Sequence, residues 1–501
     1  MCARFLAPRE RGSGKRVAGS GEGGCTPNRS DSQKESSDFN GHERNGLPAT
    51  FGGCVHGGEL DGLLVQQPVL TGPLPHDNCV MKIYQVGGSV RDKLLGLPAS
   101  DRDYVVVGAT VEEMLAAKFQ PVGKDFPVFL HPETKEEYAL ARTERKSGRG
   151  YSGFAFHTSP EVTLVEDLQR RDLTINAMAL EVRGDLTDPI DKLVDPFGGA
   201  RDIEVKVFRR VSDAFAEDPL RVLRVARFAA RFTDFVVAPE TLLLCKKLVD
   251  DGEITELVAE RVWQEISRGL MEPKPSRMFD MLRSCGALAV LAPEIDRLWG
   301  VPQKPQWHPE IDTGIHVMQV IDYAAQKGWP LATRFAALTH DLGKGLTPVD
   351  ILPAHHGHEA RSVKLVAELC ERWRVPRDCN ELATHVAAEH GNIGKIAELR
   401  PATVHDLLMR CDVLRRPERF AQMLDASEAD KCSRVGADGE LPADASSVLQ
   451  PRIDALAALA AMQSVDAGAV AATMVAAGKP ERIADALREA RIDAIRDIAL
   501  S

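Results

Sequence analysis

The spacing of apolar positions changes along this chain. Between residue 81 and about residue 200, short runs of strand-forming residues (Ile83–Val86, Tyr104–Val107, Val128–Leu130, Tyr138–Ala141, Leu173–Leu180) alternate with helix-like stretches such as Val111–Lys118. Runs this short, bounded by turn residues, predict strands. From about residue 213 the spacing becomes helical, with helices expected over Asp218–Phe232, Pro239–Asp250, Ala259–Leu270 and Pro275–Cys285. Trp299–Pro309 carries three prolines and reads as a linker. A second helical block, 312–430, holds most of the histidines, and beyond Pro442 an alanine-rich helical tail runs to Ser501. The pattern therefore predicts an α+β chain: a mixed α/β head over 81–212, an all-α neck over 213–300, a helical body over 312–430 and a tail over 440–501.

Residues 1–80 carry Gly, Ser, Asn and Pro without a periodic apolar face. Such a segment buries too little surface to offset its chain entropy. The expectation is a disordered extension, or a mis-called start with Met81 as the initiator. No continuous apolar stretch resembles the core of a secretory signal.

Composition narrows the class. The 501 residues correspond to about three domains at roughly 150 residues each, and 62 basic against 73 acidic residues give a formal net charge of -11. An acidic chain does not coat nucleic acid non-specifically, so any nucleic-acid surface must be a local basic patch. No run approaches the ~20 apolar residues of a membrane span. The ten cysteines are scattered without a C-x-x-C pair, which argues for a reducing compartment and against a disulfide framework.

Candidate chemistry begins at Gly87-Gly88-Ser89-Val90-Arg91-Asp92, directly after the first strand. Two glycines between strand and helix let backbone N–H groups approach a phosphate at the helix N-terminus, and Arg91 can add a two-pronged contact. A Gly-Gly turn alone is a weak signal. Asp101-Arg102-Asp103 strengthens it, because residues i and i+2 on a strand share a face. Two carboxylates held together call for a cation, and paired divalent metals ~3.5–4 Å apart serve in-line displacement at phosphorus. Glu137 is a further carboxylate on a neighbouring strand, better read as surface charge. The basic runs Arg142–Gly150 and Arg170-Arg171 suit a polyanionic substrate.

Glu217-Asp218-Pro219-Leu220-Arg221 leads a helix in which Arg221, Arg224 and Arg227 recur every three residues. Asp218 reads as the N-cap with Pro219 at the first helical position. A carboxylate accepting from an exocyclic amino group, beside a guanidinium donating to a ring nitrogen, fits the Watson–Crick edges of cytosine and adenine. Guanine and uracil present the opposite pattern. Arg224 and Arg227 would then meet phosphates, since no acids are interleaved with them on the helix.

Gly87-Gly88-x-Val90-Arg91-Asp92, Asp101-x-Asp103, Arg170–Ala177, Asp195–Gly199 and Glu217-Asp218-x-x-Arg221 stand in the order found in bacterial class II CCA-adding tRNA nucleotidyltransferases, and the chain resembles that family from 81 to 430. The resemblance implies a polymerase-beta-like nucleotidyltransferase head and addition of C, C and A to the 3′ end of tRNA from CTP and ATP, with release of pyrophosphate. It implies CTP/ATP contacts at Gly88, Arg91, Arg171, Arg224 and Arg227, Mg2+ ligands at Asp101 and Asp103, and a protein template at Asp218 and Arg221. Leu173 departs from the Phe of many relatives.

His340-Asp341 ends a helical run, His316 precedes it by 24 residues, and His355, His356, His358, His385 and His390 follow, with an acid at Asp412 or Asp430. Imidazoles and carboxylates from different helices are ligands for a water-activating transition metal. The block resembles an HD phosphohydrolase domain, for which His316, His340, Asp341 and Asp412 are the expected ligands, and Gly343-Lys344-Gly345 suggests a phosphate contact. The combination resembles the multifunctional type of CCA-adding enzyme. That implies phosphatase, 2′-nucleotidase and 2′,3′-cyclic phosphodiesterase activities, with Ni2+ as the favoured metal. The expected partners are tRNA, CTP and ATP in the cytoplasm, with no membrane; a homodimer stays open. Two alternatives remain: a poly(A) polymerase of the same superfamily, and an HD-centred nucleotide hydrolase whose head only binds RNA.

Overall fold

The computed structural model describes residues 81–98, 102–122, 128–146, 154–182, 192–433 and 445–501. The expectations for residues 1–80, for Asp101 and for the end of the basic run at 147–150 lie outside the described residues. Within them, the short runs of the head assemble as β1 (Lys82–Val86), β2 (Asp103–Val107), β3 (Gln120–Val122), β4 (Val128–Leu130), β5 (Glu137–Leu140), β6 (Arg142–Lys146), β7 (Phe154–Thr158), β8 (Ala179–Glu181) and β9 (Leu193–Val194). Seven of them form one sheet in the order β3-β4-β5-β2-β1-β8-β9, and β6 pairs with β7 as a separate ribbon. β2 lies antiparallel to β1 and parallel to β5.

The period-two pattern of β2 explains which face does what. Tyr104 and Val106 pack with Met114, Phe129 and Tyr138, whereas Val105 packs with Tyr84, Val86 and Leu168. Asp103, two residues before Val105, belongs to the second face. In register it opposes Val86 on β1 and Glu137 on β5, so it stands next to the turn that leaves β1. That turn is Gly87, with φ 75°, and a Cβ there would stand 3.1 Å from a terminal nitrogen of Arg171. Only glycine meets both conditions without strain.

The head helices are α1 (Gly88–Leu94), α2 (Val111–Ala116), α3 (Leu164–Gln169) and α4 (Gly199–Glu204). Leu173–Leu180, expected as one strand, is not one. Thr174–Asn176 forms a 3₁₀ turn, and the chain becomes extended only at β8. Its polar side chains decide this. Asp172 Oδ1 accepts from Leu173 N–H at 2.8 Å and from Asn176 Nδ2 at 3.0 Å, while Thr174 Oγ1 donates to Asp202 at 2.6 Å. These local bonds compete with a ladder.

From Leu220 the chain is helical, as α5 (Leu220–Arg231), α6 (Pro239–Asp250), α7 (Ala259–Leu270), α8 (Ser276–Ser284), α9 (Ala287–Leu291) and α10 (Pro293–Asp296). There follow α11 (Thr313–Gln326), α12 (Leu331–Thr339), α13 (His358–Trp373), α14 (Arg377–Ile393), α15 (Pro401–Arg410) and α16 (Pro417–Cys432). The tail consists of α17 (Ala445–Ser464), α18 (Ala467–Ala476) and α19 (Ile483–Arg496). One apolar core runs from Leu173 and Phe208 through these helices to Met462 and Ile495. No single helix among the described residues is long and apolar enough to cross a membrane. Trp299–Pro309 has no helix or strand, as expected, but it is not a bare linker. Gln303 is buried, its N–H bonded to Ile311 O at 2.7 Å and its side-chain oxygen to Lys344 Nζ at 2.6 Å.

Acid–arginine pairs tie α5 to the head. Asp172 Oδ2 accepts from Arg224 Nε at 2.8 Å, and Asp92 Oδ2 accepts from Arg231 Nη2 at 3.0 Å. Burial opposes ionisation of Asp172, but Arg224, the Asn176 amide and Arg221 more than offset it and hold the carboxyl far below its ordinary value. A depressed carboxyl contributes its full stabilisation above the unfolded pKa of ~3.9 and loses it as pH falls toward the folded value. Asp172→Asn should therefore cost about 3 kcal/mol at neutral pH. Its deficit relative to wild type should shrink in chemical denaturation series taken from pH 5 down to pH 3; a pH-independent deficit would contradict this assignment.

Candidate active sites

A cavity of about 490 Å³ opens between the carboxyl end of β1, the start of β2 and α5. Eight arginines line it against three aspartates, so its field suits a polyanion. Gly88 begins α1 on its wall and Asp103 lies at its edge. Glu137, in register with Asp103, is exposed on the adjacent strand.

Arg91 lines this cavity from a buried position rather than projecting into it. Its Nε donates to Asp92 at 2.9 Å and its Nη1 to Asn176 Oδ1 at 2.6 Å, while the guanidinium stands 5.2 Å and 5.0 Å from the rings of Phe228 and Phe232. Arg171 is more open. Its Nη2 donates to Asp167 at 3.2 Å, while its Nε is buried without a hydrogen-bond partner. Asp167 is buried, which raises its pKa, but Arg170 and Arg171 reverse the effect and hold it below the ordinary carboxylate value.

Asp218 and Arg221 reach the cavity at the head of α5, the helix starting one residue later than expected. Asp218 Oδ1 accepts from Leu220 N–H at 3.1 Å, as an N-terminal cap does. The two side chains are held by third parties. Asp218 Oδ2 accepts from Arg261 Nη2 at 2.8 Å, and Arg221 Nη1 donates to Ala214 O at 2.6 Å. Nothing in the sequence pattern singled out Arg261, an ordinary first-turn residue of α7. Arg224 and Arg227 lack acids on their own helix but find them elsewhere, at Asp172 and, 2.7 Å from Arg227 Nε, at Glu265. The arginine stripe is thus pre-aligned by counter-charges behind it, not an unpaired row.

The histidine block closes around a second cavity, of about 530 Å³. His316 comes from α11, His340 and Asp341 from the end of α12, His358 from the start of α13, His390 from α14 and Asp430 from α16. His316 Nε2 lies 3.1 Å from Asp430 Oδ1, and His340 Nε2 lies 3.0 Å from Asp341 Oδ2 and 3.8 Å from Asp430 Oδ1. The Nε2 atoms of His358 and His390 approach Asp341 Oδ1 at 3.3 Å and 3.6 Å. Behind them, Nδ1 of His340, His358 and His390 is fixed on the carbonyls of Ala337, His355 and Val386 at 2.8, 2.9 and 2.9 Å. Nδ1 of His316 stands 2.8 Å from Glu310. Ring nitrogens anchored on one side and convergent on the other are how ligands are oriented toward a metal.

Whether a metal fits can be judged from the orphaned atoms. His340 Nε2, His358 Nε2 and both carboxylate oxygens of Asp341 are buried without a hydrogen-bond partner, a costly arrangement unless a cation satisfies them. Burial would raise the Asp341 pKa, but His340 and Lys344 hold it well below the carboxylate range. Burial would lower that of His316, but Asp430 and Glu310 raise it. Glu310, which sequence reasoning missed, is drawn down to about 2 by His308 and His316 against the effect of its own burial. Nitrogen-rich donors of this kind suit a transition metal.

Two expectations are corrected. Asp412 is not in the cluster. It sits with φ 55° just after α15, its carboxylate held by Arg415 at 2.8 Å and by Arg419 at 3.5 Å. Asp430, one helix later, takes the place expected of it. The glycines of Gly343-Lys344-Gly345 serve packing, since added Cβ atoms would fall 2.1 Å from His358 O and 2.6 Å from Arg297. Lys344 Nζ itself lies 2.6 Å from Asp341 Oδ2.

A mixed-sheet nucleotidyltransferase head, a helical neck and an HD-type body define the class. Models described as poly A polymerase head domain, probable RNA and SrmB-binding site of polymerase A, and HD domain match residues 83–209, 234–298 and 313–434. The multifunctional CCA protein of Burkholderia cenocepacia is 60% identical over 418 residues, covering 83% of this chain and 98% of its own. That of Paracidovorax citrulli is 61% identical over 419 residues, covering 83% and 97%. The chain belongs to the multifunctional CCA protein family. Its fold is that of a solved CCA-adding enzyme in complex with CTP, with a TM-score of 0.54 at 21% identity over 83% of this chain and 87% of the other.

The ligand assignment predicts that Asp430→Asn lowers nickel or manganese affinity at least about ten-fold, measured as metal per chain after equilibrium dialysis. Asp412→Asn should bind like wild type; loss of metal in Asp412→Asn alone would reverse the correction.

Proposed function

We propose that the chain adds CMP, CMP and then AMP to the 3′ end of tRNA without a nucleic-acid template, releasing pyrophosphate, and that its histidine cluster hydrolyses phosphate esters at a separate site. The observation that carries the first part is the cavity in which Asp103 faces the arginines of α5 across the Gly87–Gly88 turn. Family membership at 60% identity supports it. In this reading Gly88, Arg171, Arg224 and Arg227 bind the triphosphate, and Arg91 holds the turn and α5 in register from behind. Mg2+ on the hard oxygens of Asp101 and Asp103 would neutralise the triphosphate and lower the pKa of the 3′-hydroxyl.

Base choice falls to Asp218 and Arg221. The Asp218 oxygens keep lone pairs beyond those used by Leu220 and Arg261, so the carboxylate can accept from the amino group of cytosine or adenine. Arg221 then donates to the adjacent ring nitrogen. A carbonyl in place of the amino group leaves the carboxylate facing like polarity in a partly dry site. A poly(A) polymerase would use the same edge for adenine alone, and the named relatives favour the CCA reading.

At the second site, the expected metal is a transition ion, with nickel favoured; it would be held by His316, His340, Asp341 and Asp430, with His358 and His390 close by, and would supply an activated water. The carbonyls behind the rings keep the Nε2 lone pairs aimed inward, and Lys344 offsets the charge of Asp341. CTP, ATP and tRNA are the substrates of the first site, and 2′-phosphates and 2′,3′-cyclic phosphates those of the second.

Purified protein incubated with tRNA lacking its CCA end should incorporate two CMP and one AMP. Asp103→Ala should reduce this by about 10²–10³-fold or more while sparing phosphatase activity, and Asp341→Ala should do the reverse. Loss of both activities in either variant would contradict two independent sites, and long AMP runs without CTP use would favour the polymerase.

A further inference from the structure

The mouth of the histidine-lined cavity carries a group that metal binding does not require. Trp307 is 66% exposed, and it is the one aromatic among the large apolar side chains exposed in the described residues. It lines the same cavity as His358, His390 and Asp430. Leaving an indole in water is unfavourable unless something covers it.

Its position is fixed. The N–H groups of Trp307 and His308 both donate to Lys304 O at 3.0 Å, forming a tight turn. The adjacent His308 ring stands edge-on 4.7 Å from the ring of His316, and its Nδ1 lies 2.9 Å from Glu310. The loop is pinned further in by buried Gln303, bonded to Lys344. Trp307 is thus one residue from a side chain that touches the ligand cluster. Lys304, Lys395 and Lys431 line the same cavity. Its volume of about 530 Å³ far exceeds a phosphate and falls within the range that encloses a small organic ligand.

We propose that Trp307 is the base platform of the phosphohydrolase site. A nucleoside phosphate ester binds with its phosphate at the histidine–aspartate cluster, its ribose across the cavity and its nucleobase stacked on the indole. The inference rests on the phosphohydrolase reading of this cluster and extends it from phosphate esters in general to nucleotides. Every base has a π-face, so the platform is tolerant of base identity. The same contact serves a free 2′-nucleotide and the 3′-terminal nucleotide of an RNA. Trp307 touches neither the reacting phosphorus nor the metal ligands and acts as a positioning residue.

The test compares wild type with Trp307→Leu, a surface change that leaves the core intact. Adenosine 2′-monophosphate added to the metal-loaded enzyme should quench tryptophan fluorescence in wild type and not in Trp307→Leu, whereas inorganic phosphate should quench neither. KM for adenosine 2′-monophosphate should rise about ten-fold or more in the variant with kcat nearly unchanged, and kcat/KM for glycerol 2-phosphate, which has no ring, should stay within two-fold. An RNA ending in a 2′,3′-cyclic phosphate identifies the source of the base: a KM rise as large as that for the free nucleotide means the platform also takes RNA ends, and an effect confined to the mononucleotide limits it to free nucleotides. Equal kinetics for both proteins on both nucleotide substrates, or equal losses with the nucleotide and with glycerol 2-phosphate, would overturn the platform. If wild type hydrolyses no phosphate ester, the phosphohydrolase reading fails, while the fluorescence titration still reports on the base contact.

Discussion

Asp172 is a buried carboxylate shared by two elements that the chain could otherwise move apart. Its backbone belongs to the head, its Oδ1 fixes the turn that follows, and its Oδ2 receives Arg224 from α5. Asp92 repeats the arrangement with Arg231, and Arg91 fills the space between them against Phe228 and Phe232. A buried pair is expensive to break because each partner would be left charged and unpaired. The consequence is geometric: the glycine turn, Asp103 and the arginine stripe face one cavity only while these pairs hold α5 in place. Base reading and phosphate binding are then set on one rigid frame.

The two cavities are built from opposite donor chemistry. The head offers carboxylate oxygen and guanidinium groups, suited to magnesium and a triphosphate. The body offers imidazoles whose second nitrogens are fixed on backbone carbonyls, suited to a softer ion. The continuous apolar core from Leu173 to Ile495 joins the helical segments around both sites. This organisation lets one protein make a phosphodiester at one end and cleave phosphate esters at the other without sharing a residue.

What could be read from the sequence was local. Strand and helix periods, the Gly87–Gly88 turn, Asp103 at the start of β2 and the Asp218–Arg227 stripe all depend on residues a few positions apart. What escaped was set by contacts between distant segments. Asp172 with Arg224, Glu265 with Arg227 and Arg261 with Asp218 are 52, 38 and 43 residues apart. Asp430 and Asp412 look alike as letters; only the packing of α16 against α11 brings one of them to His316, 114 residues away. The run after Asp172 misled for another reason, since its Thr and Asn side chains bond to buried carboxylates and bend a segment whose apolar residues read as a strand.

The central claim is that one cavity, framed by the head and α5, receives the incoming nucleotide. The most direct measurement is the structure of the protein with CTP and magnesium bound. The account predicts the triphosphate between Gly88, Arg171 and Arg224, a magnesium ion on the Asp101 and Asp103 oxygens, and the cytosine amino group on Asp218. Cytosine density away from α5, or an ion that leaves both aspartates uncoordinated, would contradict it.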